Sequence, residues 1–341
     1  MVIGIEAERA NSTQKTGVEH YAKQLILHLS TIDLQNQYVL YLRTKPEAWL
    51  LNLPKNFRLK VMPFPIFWTQ VRLSLEMLFS PVDLLFIPAS SMPIVHPKKT
   101  VVTVHDLAFM HFPETYTLFA RTFHKFEDWL VAKFAWKIIA VSESTKKDFL
   151  KFWNVPQERI IVVHHGYEIA KILDHEVLTQ IQLPEQYVLF LSTLQPRKNL
   201  AGLMQAMKEL RLEYPELAHY KLVVIGKTGW KFEKILEEIA RNKDFVVYLN
   251  HVSDAERYAV MRQAKVFVLP SFYEGFGMTI LEAFTLCVPV ATSNVSSMPE
   301  VAGEAAVYFN PAKVSEIKSA ISKILFDKSL SDRLISQGTA R

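Results

Sequence analysis

The stretch Val266-Phe-Val-Leu-Pro270-Ser271-Phe-Tyr-Glu274-Gly-Phe-Gly-Met-Thr-Ile-Leu-Glu282-Ala-Phe284 decides how this chain is read. Its apolar run before Pro270 predicts a buried strand, Gly275 and Gly277 predict a tight turn, and the residues from Thr279 predict a helix. Glu274 then lies on the loop at the strand's C-terminal end, and Glu282 in the first turn of the helix. In doubly wound sheets ligands bind at that edge. A helix start offers N–H groups and a positive dipole end, which suit a phosphate. Two carboxylates beside a phosphate site make sense when the ligand also carries hydroxyls, as a nucleotide sugar does. A plainer reading competes with this one. Thr279-Ile-Leu-Glu282 has the spacing of a capping box, and Glu274 could be a solvated loop residue. Capping leaves unexplained the two glycines with an aromatic between them.

Outward from this block the same alternation runs through the chain. In the first half, strands are predicted at Val2–Glu6, Tyr38–Leu42, Leu59–Pro63, Leu84–Ile87, Thr100–Val104, Lys137–Val141 and Ile160–His164. Helices are predicted near Val18–Ser30, Thr69–Phe79, Tyr116–Trp136 and Ser144–Trp153. The second half has strands at Tyr187–Leu191, Lys221–Ile225, Phe245–Leu249, Val266–Leu269 and Val288–Ala291. Its helices lie near Asn199–Glu213, Lys231–Arg241, Asp254–Gln263 and Thr279–Leu286. Such alternation implies an α/β fold of parallel sheets with right-handed crossovers. The more polar segment between Gly166 and Glu185 separates two Rossmann-like domains, 1–170 and 171–341, expected to face each other across a cleft.

With 341 residues, half of them hydrophobic and 21% charged, the chain can build two cores. The single cysteine, Cys287, rules out an internal disulfide, suits a reducing cytoplasmic compartment and is expected in the core. Met1-Val-Ile-Gly-Ile5 reads as a first strand rather than a signal peptide, and no apolar run reaches the roughly 18 residues of a membrane span. The net charge of +5 favours anionic partners such as nucleotides or acidic lipid surfaces. The lysines are scattered and no zinc-finger or RNA-binding pattern occurs, so nucleic acid is not expected as a partner.

Further motifs sit at strand ends. Ser192-Thr-Leu-Gln-Pro-Arg197-Lys198-Asn199 opens a helix, and cations there are opposed by the dipole unless an anion intervenes. A diphosphate fits, with a fork from Arg197 and a point charge from Lys198. The alternative is a pair of solvated cations with Asn199 as the cap. His105, in Val101-Val-Thr-Val-His105-Asp106-Leu, emerges at a strand end and could bond a sugar hydroxyl or a leaving phosphate, or serve the turn alone. Gly17 sits in the first strand-to-helix loop, where a glycine permits close approach of a phosphate. Gly226-Lys227-Thr228 lacks the upstream glycine of a P-loop, and His164-His165 lacks partners at metal spacing, so no metal site is expected.

Together these residues resemble a known family. The block from Pro270 to Ala283 resembles the E-x₇-E motif of retaining glycosyltransferases of family 4, which have the GT-B fold. Arg197-Lys198-Asn199, Val141-Ser-Glu-Ser, His165-Gly166 and the closing Met298-Pro-Glu300-Val-Ala-Gly303 are similar to other landmarks of that family. Val104-His105-Asp106-Leu107 resembles its bacterial mannosyltransferase-like members. The resemblance implies a first domain for the acceptor and a second for the donor. It gives Glu274 the hydroxyls of the transferred sugar, Glu282 the ribose, and Arg197 and Lys198 the diphosphate. Backbone groups of Gly275, Phe276, Gly277, Met278 and Thr279 would line the donor, with Gly17 and His105 near it.

The implied reaction is retaining, metal-independent hexose transfer without a cofactor. GDP-mannose is the favoured donor, with UDP-sugars and dTDP-rhamnose behind it, and a glycan or lipid-linked saccharide is the acceptor. Aromatic and basic residues in Phe64–Arg72 and Phe119–Lys125 suggest peripheral contact with an anionic membrane, unless those aromatics are core. Two other classes stay open: a different enzyme on this fold, such as an epimerase or a phosphorylase, and a non-catalytic nucleotide-sugar- or glycan-binding subunit. The chain departs from the family in having one glycine at Thr16-Gly17-Val18, Thr279 where proline is common, and an end at Ser336-Gln-Gly-Thr-Ala-Arg341. From that end a truncated or short closing helix is expected.

Overall fold

The computed structural model describes residues 1–12, 17–167, 181–250 and 252–341. It divides into two compact units, Met1–His111 with Tyr116–His165, and Phe112–Thr115 with Gly166–Arg341. The expected boundary between residues 170 and 171 lies outside the described residues.

The first unit holds strands β1 (Val2–Glu6), β2 (Gln37–Leu42), β3 (Phe57–Val61), β4 (Leu84–Ile87), β5 (Thr100–Val104), β6 (Lys137–Ala140) and β7 (Ile160–Val162). They form one parallel sheet in the order β3-β2-β1-β4-β5-β6-β7. Ile5, Leu40, Leu85, Val102, Val104, Ile138 and Ala140 are fully buried. Such near-continuous apolar strands belong to a sheet covered by helices on both faces.

The second unit holds β8 (Tyr187–Leu191), β9 (Lys221–Ile225), β10 (Val246–Leu249), β11 (Val266–Leu269), β12 (Val290–Ser293) and β13 (Ala306–Phe309), parallel in the order β10-β9-β8-β11-β12-β13. Val188, Phe190, Leu222, Val224, Val266 and Val268 build its core. The expected strand from Val288 begins instead at Val290, because Pro289 has no N–H to give the ladder. The strands expected to run to Pro63 and His164 end at Val61 and Val162.

Several second-unit elements are absent from the expectation: β13 and the helices Met298–Ala302, Val314–Phe326 and Lys328–Ala340. β13 is four residues long and half covered, too short to show a period. The helix Val314–Phe326 does carry a signal, since Ile317, Ala320, Ile321 and Ile324 recur at helical spacing and are all buried. The helix Lys328–Ala340 packs Gly338 against Phe284, where a Cβ would meet the ring at 2.4 Å. Cys287 is exposed, not core. It follows the helix Met278–Thr285 with a φ of +57°, a left-handed turn that carries it outward.

Candidate functional site

The order of the second sheet reverses between β8 and β11, with β9 and β10 on one side and β12 and β13 on the other. At such a switch point the loops leaving the two strands diverge and make room for a ligand. The loop after β8 brings Arg197 and Lys198, in a tight turn Pro196–Lys198 begun by a proline whose φ suits it. Asn199 follows with a φ of +56° and leads into the helix Leu200–Glu213. Its side chain does not cap that helix, and its amide donates instead to the Pro311 carbonyl at 2.8 Å.

The loop after β11 brings Glu274 to these cations. Lys198 Nζ lies 2.6 and 2.7 Å from the two Glu274 carboxylate oxygens, and Arg197 Nη1 lies 3.6 Å away. Arg197 also donates to the Tyr273 carbonyl, and the Ser271 hydroxyl donates to Glu274 Oε1 at 2.7 Å. The three charged side chains are only 10–12% exposed. Burial on its own would raise the Glu274 carboxyl, but the Lys198 ammonium, the Arg197 guanidinium and the Ser271 hydroxyl outweigh it and hold it below the usual carboxylate range. Both plain readings are thereby corrected: Glu274 is not a solvated loop residue, and Arg197 and Lys198 are not solvated cations. The anion they call for is, within the protein, Glu274 itself.

Two serines hold this loop in place. The Ser297 hydroxyl donates to the carbonyls of Glu274 at 2.9 Å and Phe276 at 2.8 Å, and the Glu274 N–H donates to Ser296 Oγ at 3.2 Å. Phe276 is buried. Of the two expected turn glycines, only Gly277 has a left-handed φ, +104°, as the residue before the helix Met278–Thr285. Met278 and Thr279 open that helix.

Glu282 is corrected on two counts. It is the fifth residue of its helix rather than part of the first turn, and it caps nothing, since no side chain caps that end. Its Oε2 accepts from Arg257 Nη1 at 2.6 Å. Arg257 comes from the helix Asp254–Gln263, reaches Asp254 at 3.4 Å and lays its guanidinium over the Tyr258 ring at 4.4 Å. Burial pushes the Glu282 carboxyl up and the arginine draws it back down. Sequence reasoning missed Arg257 because the helical pattern around it does not say which face meets the site.

The first sheet reverses between β1 and β4. His105 leaves β5, and its Nε2 lies 2.7 Å from the carbonyl of Pro88, just beyond β4. Burial lowers its pKa, so the ring is neutral at pH 7. A carbonyl can only accept, so Nε2 carries the hydrogen and Nδ1 is the acceptor. The ring meets Tyr21 edge-on at 5.0 Å and stacks on His165 at 5.4 Å.

Burial, then the neighbouring His105, pushes His165 down to about 3. Between pH 6.5 and about 3 the unfolded chain therefore binds a proton at this position that the folded chain refuses, and stability falls as pH falls. Glu6, raised to about 7 by burial, acts in the opposite sense below pH 7. The difference between the wild type and His165→Gln isolates the histidine. In urea titrations the wild type is expected to lose more stability than the variant between pH 7 and pH 5, and equal slopes would contradict the assignment.

Glu6 also lines a pocket of about 350 Å³ in the first unit, with Arg9, Glu19, Arg43, Trp68 and Gln70. The sequence reading assigned none of these a role at the site, because Glu6 reads there only as the end of a strand. Gly17 opens the helix Gly17–Ile32 with no left-handed φ, and no described atom lies within 4 Å of a Cβ placed on it. Neither packing nor conformation demands a glycine there. Thr16 lies outside the described residues.

Two parallel α/β units, one of them carrying buried carboxylate–cation pairs at its switch point, give this chain the GT-B fold. The family of glycosyl transferases group 1 matches residues 176–341, and Glycosyltransferase Family 4 matches residues 16–171. Each match takes in just under half of the chain, and together they show its similarity to glycosyltransferases in both units. It is 32% identical over 261 residues to the O-antigen chain mannosyltransferase B of Escherichia coli, covering 72% of this chain and 66% of that one. It is 28% identical to the serotype-specific mannosyltransferase WbdA of the same organism, over 68% of this chain and 30% of the relative. It thus spans just under two thirds of the first relative and under a third of the second. The sucrose-phosphate synthase of Thermosynechococcus elongatus shares the fold, with a TM-score of 0.75 at 17% identity over 99% of this chain and 93% of that one.

Proposed function

We propose that this chain transfers a hexose, with mannose favoured, from a nucleoside diphosphate sugar to a hydroxyl of a glycan or lipid-linked acceptor, with retention and without a metal. The observation that carries this reading is the buried set Arg197, Lys198 and Glu274 at the switch point, followed along the chain by Glu282 on the next helix, which pairs with Arg257. Arg197 and Lys198 take the charge of the departing diphosphate. Glu274 already holds them in position, so little ordering remains to be done when the donor arrives. Its carboxylate then shares the cations with the diphosphate and accepts from hydroxyls of the sugar. Glu282, oriented by Arg257, accepts from the ribose, and Gly275, Phe276, Gly277, Met278 and Thr279 line the donor. The leaving phosphate takes the acceptor's proton, so no dedicated nucleophile is required.

Mannose is favoured by the relatives, both named as mannosyltransferases, and GDP-mannose by the His105-Asp106-Leu107 resemblance; UDP-sugars are the runner-up. The pocket beside Glu6, with its carboxylates, Arg9 and Trp68, suits the hydroxyls and apolar ring faces of a saccharide acceptor, and His105 and Gly17 belong to the same unit. The reaction is placed in the cytoplasm, peripheral to the membrane.

A thermal-shift screen across nucleoside diphosphates and their sugars tests the donor. GDP and GDP-mannose are expected to raise the midpoint most, by about 2.7 kcal/mol of stabilisation at a hundredfold excess over Kd. NMR of the product should show the α linkage of the donor retained. Binding without transfer to any saccharide acceptor would favour the non-catalytic subunit, and an inverted linkage would overturn the mechanism.

A further inference from the structure

We propose that one face of the first unit docks on an anionic lipid bilayer. The proposal deepens the lipid-linked-acceptor reading by locating the surface that would carry the chain to such an acceptor. It starts from the helix Leu118–Phe134, capped by Thr117. Around this helix Phe119, Thr122, Phe126, Trp129 and Lys133 fall on one arc, and all are exposed. Leu118 and Phe119 are 78% and 70% exposed. A helix on a globular protein normally buries its apolar arc and shows its acids to water. Here Leu130, Val131 and Ala132 are buried as usual, but the acids are buried with them and the aromatic arc faces outward. Glu127 and Asp128 are buried, and Glu127 accepts from Ser91 at 2.6 Å and Gln70 at 3.1 Å.

A second stripe joins the first. Phe123 meets Phe67 at 5.7 Å, and from Phe67 the exposed side chains Val71, Leu75, Leu78 and Phe79 recur at helical spacing. The acid of this segment, Glu76, is also buried, paired with Lys60 and Arg72. Ile94 and Val95 are exposed on a loop whose N–H groups donate to Ser74 Oγ, and His96 beside them meets Phe134 at 6.1 Å. The contacts make one apolar face out of segments far apart in sequence, whereas single exposed apolar residues would need no explanation.

The charges on this face have one sign. Lys133 Nζ lies over the rings of Trp129 at 5.2 Å and Phe134 at 5.4 Å, Lys98 and Lys99 are exposed next to the Ile94 loop, and Lys125 lies on the helix arc. Neither helical segment exposes an acid. A second copy of the chain would set like charges against each other across a two-fold interface. A bilayer with anionic headgroups accepts both features: the rings enter the headgroup level and the lysine stems reach back to the phosphates. Among the described residues no helix is long and apolar enough to cross a membrane. The contact is therefore a surface one.

Co-sedimentation tests this with the full chain and no donor or acceptor present, using vesicles of phosphatidylcholine alone or with about one third phosphatidylglycerol. The wild type is expected to bind the phosphatidylglycerol vesicles at low salt, and to bind less as salt rises or when phosphatidylglycerol is left out. The triple variant Phe119→Ser, Phe126→Ser, Trp129→Ser should lose about 100-fold or more in affinity. Lys125→Gln with Lys133→Gln should lose about 25-fold. Unchanged thermal midpoints would show that both variants are folded, and a blue shift of wild-type tryptophan emission, reduced in Trp129→Phe, reads the same contact without disturbing the fold. Absence of binding to phosphatidylglycerol vesicles at low salt overturns the proposal, as does undiminished binding by both variants. A wild-type dimer that the triple variant dissolves, without vesicle binding, would assign the face to a second copy. Vesicle binding by a chain that transfers only to soluble saccharides would leave this surface standing and remove the lipid-linked acceptor.

Discussion

Glu274→Gln is expected to lower sugar transfer by about 10²- to 10³-fold while leaving nucleoside diphosphate affinity equal or tighter. The two effects have different causes. In the folded chain the Glu274 carboxylate is ionised and lies 2.6 Å from Lys198 Nζ, where it also repels any diphosphate that approaches the same cations. An amide of the same shape removes that repulsion, so binding of the diphosphate moiety does not suffer. Transfer suffers because a neutral amide is a weaker acceptor for sugar hydroxyls and gives less support to positive charge developing on the sugar ring. Calorimetry with the nucleoside diphosphate and steady-state transfer assays read the two effects separately. Affinity falling in step with turnover would show Glu274 to be a scaffold for the cations rather than a group that meets the sugar, and near-normal turnover would remove it from the site.

Lys198→Met is expected to produce the largest loss of stability, about 3–5 kcal/mol, because it strands a buried carboxylate. Glu274 keeps Ser271 and Arg197, but Arg197 Nη1 stands 3.6 Å away and is also bonded to the Tyr273 carbonyl. The carboxyl should then titrate upward, since burial is no longer outweighed. Nucleoside diphosphate affinity should fall by about 10²-fold with the loss of a buried point charge. The double variant Lys198→Met, Glu274→Gln separates the two consequences. It should recover most of the stability, because no unpaired charge remains, and none of the affinity. A double-mutant cycle in urea reads the coupling. Additive losses would mean that the pair is incidental to the fold, and full affinity in the double variant would mean that the diphosphate binds elsewhere.

Much of this protein was legible in its sequence. The strands β1, β4, β5, β8, β9 and β11 fall where the apolar runs predicted them, because a strand buried on both faces must be apolar throughout. Arg197, Lys198 and Glu274 were all expected at strand ends, and the structure places them there. The expectation failed where the signal was short or depended on a neighbour. β13 is four residues long, and the ring of Phe284 that Gly338 accommodates lies on a different helix. Glu282 shows the limit most plainly. Its spacing from Thr279 satisfies a capping box, but the helix starts one residue before Thr279, with Gly277 at the N-cap position, and the carboxylate goes instead to Arg257, 25 residues away on another helix.

By itself the sequence determined the class of fold and the identity of the charged residues at the strand ends. These follow from local rules: strand period, turn glycines and helix starts. Only the tertiary structure decided which of those residues meet. Lys198 and Glu274 are 76 positions apart and become partners because β8 and β11 are neighbours at the point where the sheet reverses. The exposed aromatic face is of the same kind, since period alone cannot say whether an apolar arc points into the core or out of it. Strand order and helix orientation are set by how all the apolar faces pack at once, and no local stretch of sequence contains that information.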